Sequence, residues 1–309
     1  MEFKKLEGLI AAPFTPMDGK GDICVDHIEA YAHHLVETKV TGAFVCGTTG
    51  EGFSMTTEER KAVLSNWVKY SGGKLKIICH VGSDCLAQSK ELAAQAEKEG
   101  AYAIGCISPS FFKPSTAKDL IEYLAPVAAS APNLPFYYYN MPSMTGVNIK
   151  VSELFPLAKE RIPNFAGVKF THSDLYDMQK CIAFDNGRYE VLNGFDEILL
   201  CGITLGVHAA VGSTYNFMPS VYLDLWKAYR AGDLEKAKEL QQFSVKVVDK
   251  LVKYKGAILA GKAIMGFLGI ECGPCRVPLE NLSEEEKQSL KSELDEIGFF
   301  QKTQPLSQV

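Results

Sequence analysis

Lys169 stands inside the apolar run FAGVKFT at 165–171. A buried ammonium loses its hydration and must find a partner or give up its proton. A neutral amine held in an apolar site attacks carbonyl carbon and forms an imine. Strand alternation puts Gly167, Lys169 and Thr171 on one face, with the glycine leaving space beside the lysine stem. Two other readings stay open from the strand alone. Lys169 snorkels out of the strand end, or it pairs with a carboxylate such as Asp196 or Glu197. Tyr139 closes a run of three tyrosines, 137–139, that fills both faces of another apolar segment. A phenol near a cation can relay protons, or it can simply pack, as aromatic residues do well in strands. Tyr137 and Tyr138 read as packing. GTTGEG at 47–52 lacks the Walker lysine and is not GxGxxG. Its glycines surround Thr48 and Thr49, whose N–H groups and hydroxyls can cradle an anion such as a carboxylate. An ordinary strand-to-helix turn is the alternative.

Two further motifs carry less. CGPC at 272–275 has the C-x-x-C spacing of redox sites, but such a motif follows a strand and opens a helix. Here it follows GKAIMGFLGI, which reads as helix, and precedes RVPLENL, which reads as loop. No second Cys or His pair stands at zinc-finger or ribbon spacing. His33 and His34 are adjacent on a helical stretch and read as surface residues.

The elements that would position these residues recur along the chain. Short apolar segments at 9–15, 43–47, 76–81, 103–108, 136–140, 166–170, 190–194 and 208–212 alternate with amphipathic stretches. Apolar on both faces, they fit parallel strands covered by helices. Asp26 with Glu29, Thr56 with Glu59 and Ser283 with Glu286 have capping-box spacing, and Gly100 closes the helix LAAQAEKEG. Eight βα units argue for an α/β TIM barrel over 1–220, with an open doubly wound sheet as the alternative fold. Residues 221–309 read as helices packed on the barrel, one structural unit with it. In a TIM barrel the site lies at the C-terminal strand ends. GTTGEG, YYYNMP, Lys169 with Thr171, NGFDE at 193–197 and GSTYN at 212–216 all fall there.

Composition narrows the function classes. The chain has 309 residues, 47% hydrophobic, with a net charge of -5, so it has ample material for a core. No basic block points to nucleic acid. The start MEFKKLEGLIAAPFTPM breaks at Pro13 and Pro16 before a signal-peptide core is reached, and no apolar run approaches the ~20 residues that span a bilayer. Nine cysteines, an odd number scattered through apolar strands (Cys46, Cys79, Cys106, Cys201), read as small hydrophobes in a reducing cytoplasm.

In order and spacing, GTTGE, YYYNMPSMTGV, GVKFT and GSTYN resemble the pyruvate-dependent class I aldolases of the N-acetylneuraminate lyase and dihydrodipicolinate synthase superfamily. The resemblance runs from GLIAAPFTPM to CGPCRVPL. It is nearest to the sialic acid lyase branch through FYYYNMPSMTGV, VKFTHSDLYD, NGFDE and GSTYN. It implies that Lys169 forms a Schiff base with pyruvate and that Tyr139 moves protons through the substrate carboxylate. By the same resemblance Thr48 and Thr49 hold that carboxylate, Thr171 lies near the sugar hydroxyls, and Gly194, Asp196, Glu197 and Ser213 bind the polyhydroxyl chain. It also implies a homotetramer with no metal or organic cofactor. The expected activity is reversible cleavage of N-acetylneuraminate to N-acetylmannosamine and pyruvate.

The sequence departs from the synthase branch at two places. An arginine that grips a second carboxylate is typical after the YN motif, where this chain has Met144 in PSMTG. A tyrosine that relays protons across subunits is typical after the fourth strand, where this chain has Phe111 and Phe112. Both argue against dihydrodipicolinate synthesis and leave Tyr139 without that relay. Competing readings are an aldolase for another keto-deoxy sugar acid, a non-catalytic sugar-acid sensor on the same barrel, and a thiol oxidoreductase at Cys272 and Cys275.

Overall fold

The computed structural model describes residues 3–303, so the outermost ends of the 1–220 and 221–309 segments lie outside it. Eight parallel strands close into a barrel in sequence order: β1 Gly8–Ala11, β2 Gly42–Val45, β3 Lys76–His80, β4 Ala103–Ile107, β5 Phe136–Asn140, β6 Phe165–Phe170, β7 Glu190–Asn193 and β8 Ala209–Gly212. β8 pairs back onto β1, which rules out the open sheet. The expected strands match in number and order; those at 9–15, 43–47, 76–81, 103–108 and 190–194 run past the observed C-terminal ends, where the chain turns into the loops.

Helices alternate with the strands: α1 Ile28–Glu37, α2 Thr57–Ser71, α3 Leu86–Glu99, α4 Ala117–Ala128, the short α5 Pro142–Thr145, α6 Val151–Arg161, α7 Leu175–Ala183 and α8 Leu199–Leu205. After β8 come α9 Pro219–Arg230, α10 Leu234–Lys253, α11 Ala257–Phe267, α12 Glu284–Glu296 and α13 Phe299–Lys302. α10 packs along α9 and reaches the turn at 196–198 at the top of the barrel. Thr56 and Ser283 form full capping boxes with Glu59 and Glu286. The Asp26–Glu29 box is not made: a 3-10 turn at Val25–His27 leads into α1, and His27 stands at its N-cap without a side-chain bond.

Strand alternation sorts the core into two layers. Leu9, Ala43, Val45, Cys79, Ile104, Tyr138 and Val168 face the helices. Ile10, Phe44, Ile78, Ala103, Ile107, Tyr137, Tyr139, Leu192, Ala209 and Val211 fill the barrel. Near its N-terminal end, Tyr137 Oη donates to Glu190 Oε2 at 2.5 Å and the Leu6 N–H donates to Oε1, so the floor is plugged by a satisfied polar pair.

One irregularity places the lysine. The β5–β6 register jumps: Phe136 faces Phe165 but Tyr137 faces Gly167, leaving Ala166 as an extra residue. A bulge of this kind re-aims every later side chain, and it sets Lys169 opposite Tyr139. Gly167 does not leave room for the lysine stem. A Cβ there would lie 2.0 Å from the Glu190 carbonyl oxygen, so the glycine admits the neighbouring strand's backbone. Two further readings change, Cys201 as a strand residue and His34 as a surface one. Cys201 lies exposed on α8, outside the strands. His34 is half-buried with Nε2 2.8 Å from the Asn216 carbonyl oxygen, while His33 is exposed.

Candidate active site

A cavity of about 260 Å³ opens at the C-terminal ends of the strands. Thr48, Thr49, Tyr139, Lys169, Thr171, Gly194, Asp196, Glu197 and Ser213 all line it. Lys169 is 4% exposed. Its Nζ lies 4.0 Å from the Tyr139 ring centroid and 4.4 Å from that of Phe44. Among the described residues no carboxylate lies within ion-pair distance of it, so neither Asp196 nor Glu197 is its partner, and burial excludes snorkelling. An amine packed against two aromatic rings, without a counter-ion, is free to meet a carbonyl.

Tyr139 points its hydroxyl toward the strand-2 loop. Oη is 3.3 Å from Thr48 Oγ1 and donates to Met141 Sδ at 2.9 Å. The ring packs edge-on against Phe44 and His80, with centroids 5.5 and 5.8 Å apart. His80 is fully buried, with Nδ1 3.1 Å from the Cys46 carbonyl oxygen. Burial first, then the nearby Arg60 and Lys169 charges, hold its pKa well below the usual imidazole range. It is a neutral wall beside the phenol.

The loop carrying Thr48 and Thr49 is tightly folded. Thr15 Oγ1 donates to the Gly50 carbonyl at 2.6 Å, and the Gly52 N–H donates to the Gly47 carbonyl at 3.0 Å. A Cβ on Gly52 would sit 1.9 Å from the Cys46 carbonyl oxygen, so only glycine lets the loop close. Both threonine side chains are half-buried.

The opposite side of the cavity is acidic. Asp196 Oδ2 accepts from the Thr214 N–H at 2.9 Å and from Thr214 Oγ1 at 2.6 Å. Oδ1 is buried without a partner, in space that exists because Gly212 has no Cβ: one there would come within 1.6 Å. Burial pushes the Asp196 carboxyl up to about 6, against the lowering effect of the Thr214 bonds. Gly194 serves Thr171 in the same way, since a Cβ would meet the unpartnered Thr171 Oγ1 at 2.1 Å. Glu197 and Ser213 are half-buried at the rim. Unpartnered acceptors and hydroxyls around a cavity are what a polyhydroxyl chain would satisfy.

Strand-end reasoning missed the roof. Val248, Leu251 and Val252 of α10 and Ala257 and Ile258 of α11 also line the cavity, and these lie on helices far along the chain. It missed Met141 as well, although its place two residues past Tyr139 was a signal. The C-x-x-C thiols lie in a loop after α11, both buried, with burial pushing each up to about 12. They lack the exposed thiolate that disulfide chemistry needs. Among the described residues no cluster of three His, Cys, Asp or Glu side chains is arranged to hold a metal.

The sequence model of the dihydrodipicolinate synthetase family matches residues 5–297. N-acetylneuraminate lyase A of Xenopus laevis is 43% identical over 283 residues, 89% of this chain and 91% of that protein. Among solved structures, Proteus mirabilis N-acetylneuraminate lyase superposes with a TM-score of 0.93 at 40% identity, covering 96% of this chain and 100% of that one. A Ruminococcus gnavus sialic acid aldolase, described as a catalytic lysine mutant, superposes at 0.91 with 30% identity, covering 96% and 98%.

Proposed function

Because the chain belongs to the dihydrodipicolinate synthetase family, we propose that it is a class I aldolase that reversibly cleaves N-acetylneuraminate to N-acetylmannosamine and pyruvate. The observation that carries this reading is Lys169: a buried amine with no carboxylate partner, 4.0 Å from the Tyr139 ring centroid, in a cavity that Thr48 and sugar-compatible acceptors also line. Relatives named as lyases for this substrate support it, as does the lysine named as catalytic in the Ruminococcus gnavus protein.

Lys169 attacks the C2 carbonyl of the open-chain keto acid, and water leaves as the imine forms. Thr48 and Thr49 hold the neighbouring carboxylate, and this fixes C2 against the amine. The protonated imine is an electron sink. Tyr139, with the substrate carboxylate as relay, takes the proton from the C4 hydroxyl. The C3–C4 electron pair moves to C3 and the imine nitrogen, which releases N-acetylmannosamine and leaves the enamine of pyruvate. Protonation at C3 and addition of water return pyruvate and the free amine. Thr171, Gly194, Asp196, Glu197 and Ser213 orient the sugar chain. Loss of any matched hydroxyl would leave a buried acceptor unpaired and cost selectivity-scale energy.

The test is product analysis with purified protein. N-acetylneuraminate should yield N-acetylmannosamine and pyruvate, and keto-deoxy sugar acids lacking the N-acetyl group should turn over far more slowly. The reverse preference would assign the barrel to another keto-deoxy acid, and binding without turnover would make it a sensor. We infer that the enzyme acts in the cytoplasm, with small molecules as its substrates and neither nucleic acid nor membrane as partner. Nine unpaired thiols fit a reducing compartment. We infer also that residues 1–220 and the following helices act as one unit, assembled into a homotetramer. Phe111 and Phe112, 77% and 86% exposed, supply apolar surface that assembly would cover. Light scattering at working concentration tests the tetramer, and a monomer would contradict it.

A further inference from the structure

Glu51 ends the GTTGE stretch in a costly state. Its backbone is left-handed, with φ of 55°, a region a non-glycine residue occupies only when its surroundings insist. Its side chain is 1% exposed, and that of Lys262, on α11, is 3% exposed. Lys262 Nζ lies 2.7 Å from Glu51 Oε1 and donates to the Pro274 carbonyl at 2.7 Å. Glu51 Oε2 accepts from the Arg276 N–H at 2.9 Å. The Arg276 guanidinium then returns to the start of α2, donating to the Ser54 carbonyl at 2.7 Å and to Glu59 at 2.9 Å. The CGPCR segment, chemically idle as a thiol site, is thus gripped at both its proline and its arginine.

A buried ion pair adds little stability over an apolar pair, because desolvation offsets the attraction, and its best-attested gain is a fixed register. Here the register fixed is that of the loop holding Thr48 and Thr49 against α11, whose Ala257 and Ile258 line the same cavity. We propose that the Glu51–Lys262 pair is a positioning device for keto-acid binding. It clamps the 47–52 loop onto α11 and the 272–276 segment so that Thr48 and Thr49 meet the substrate carboxylate already arranged. The proposal rests on the aldolase reading above. It separates carboxylate binding from imine formation, since loosening the clamp weakens the grip on the carboxylate while Lys169, on its own strand, stays in place.

The experiment is reductive trapping across a pyruvate series, read by intact mass, in wild type, Lys262→Met and Glu51→Gln/Lys262→Met. The double variant leaves no orphan charge, so it provides folded protein even where the single one does not. Thermal unfolding is recorded for each. The expected result is a half-saturating pyruvate concentration raised roughly tenfold, with trapping at saturation kept within about threefold. Trapping of a carboxylate-free ketone such as acetone should be unchanged. Unchanged half-saturation in the folded variants overturns the proposal, as does an equal loss with acetone. Wild-type protein that traps no pyruvate overturns the aldolase reading instead, and the proposal with it.

Discussion

Tyr139→Phe separates chemistry from packing. The ring would remain edge-on to Phe44 and His80 and beneath Lys169. Only the hydroxyl would be lost, with its contacts to Thr48 Oγ1 at 3.3 Å and Met141 Sδ at 2.9 Å. Both partners are half-buried, so the loss should cost about 1 kcal/mol of stability. A positioned proton-transfer group is worth about 10²- to 10⁴-fold in rate, or roughly 3 to 5 kcal/mol of barrier. The two effects differ enough to be told apart. Cleavage of N-acetylneuraminate, followed by lactate dehydrogenase consumption of the pyruvate released, should fall at least about 100-fold in kcat/KM. Thermal unfolding should shift by only about 2 to 4 °C. Turnover within about threefold of wild type would refute the relay and leave Tyr139 as barrel packing.

Other outcomes follow from the same geometry. The Asp196 carboxyl keeps its proton to about 6 when folded, against an ordinary 3.8, so its contribution favours folding at low pH and is lost as pH rises between those values. Asp196→Asn should flatten that part of the stability profile in denaturant titrations, and a decline of wild-type size would contradict the assignment. Gly167→Ala would force a Cβ to 2.0 Å from the Glu190 carbonyl oxygen between two central strands. It should cost more than about 4 kcal/mol or yield no soluble protein, and a denaturation midpoint near wild type would be incompatible with the bulge geometry. In native protein, iodoacetamide should label exposed Cys85 and Cys201 and spare Cys272 and Cys275, which are buried and pushed up to about 12. Peptide mapping that finds the latter pair labelled before unfolding would revive thiol chemistry.

Eight apolar segments sufficed to read the barrel, because parallel strands buried on both faces leave an unmistakable apolar run. The rule that barrel sites sit at strand C-termini then collected residues that do line one cavity. What stayed hidden depends on pairing that no single segment encodes. The extra residue at Ala166 exists only in the register between β5 and β6, and Gly167 is explained by Glu190 on a third strand. Asp26 and Glu29 have capping spacing, but a 3-10 turn takes the position instead. The Val248–Ile258 roof arrives from helices outside the strand-end rule. The Glu51–Lys262 pair joins positions so distant in sequence that neither residue alone signals it.

The measurement that bears most directly on the account is borohydride reduction of the folded protein in excess pyruvate, followed by intact mass and peptide mapping. A buried amine with no carboxylate partner, in one cavity with Thr48 and Thr49, should give one stable adduct per chain, on Lys169. No adduct, or an adduct confined to another lysine, would contradict the imine mechanism and return Lys169 to a structural role between Tyr139 and Phe44.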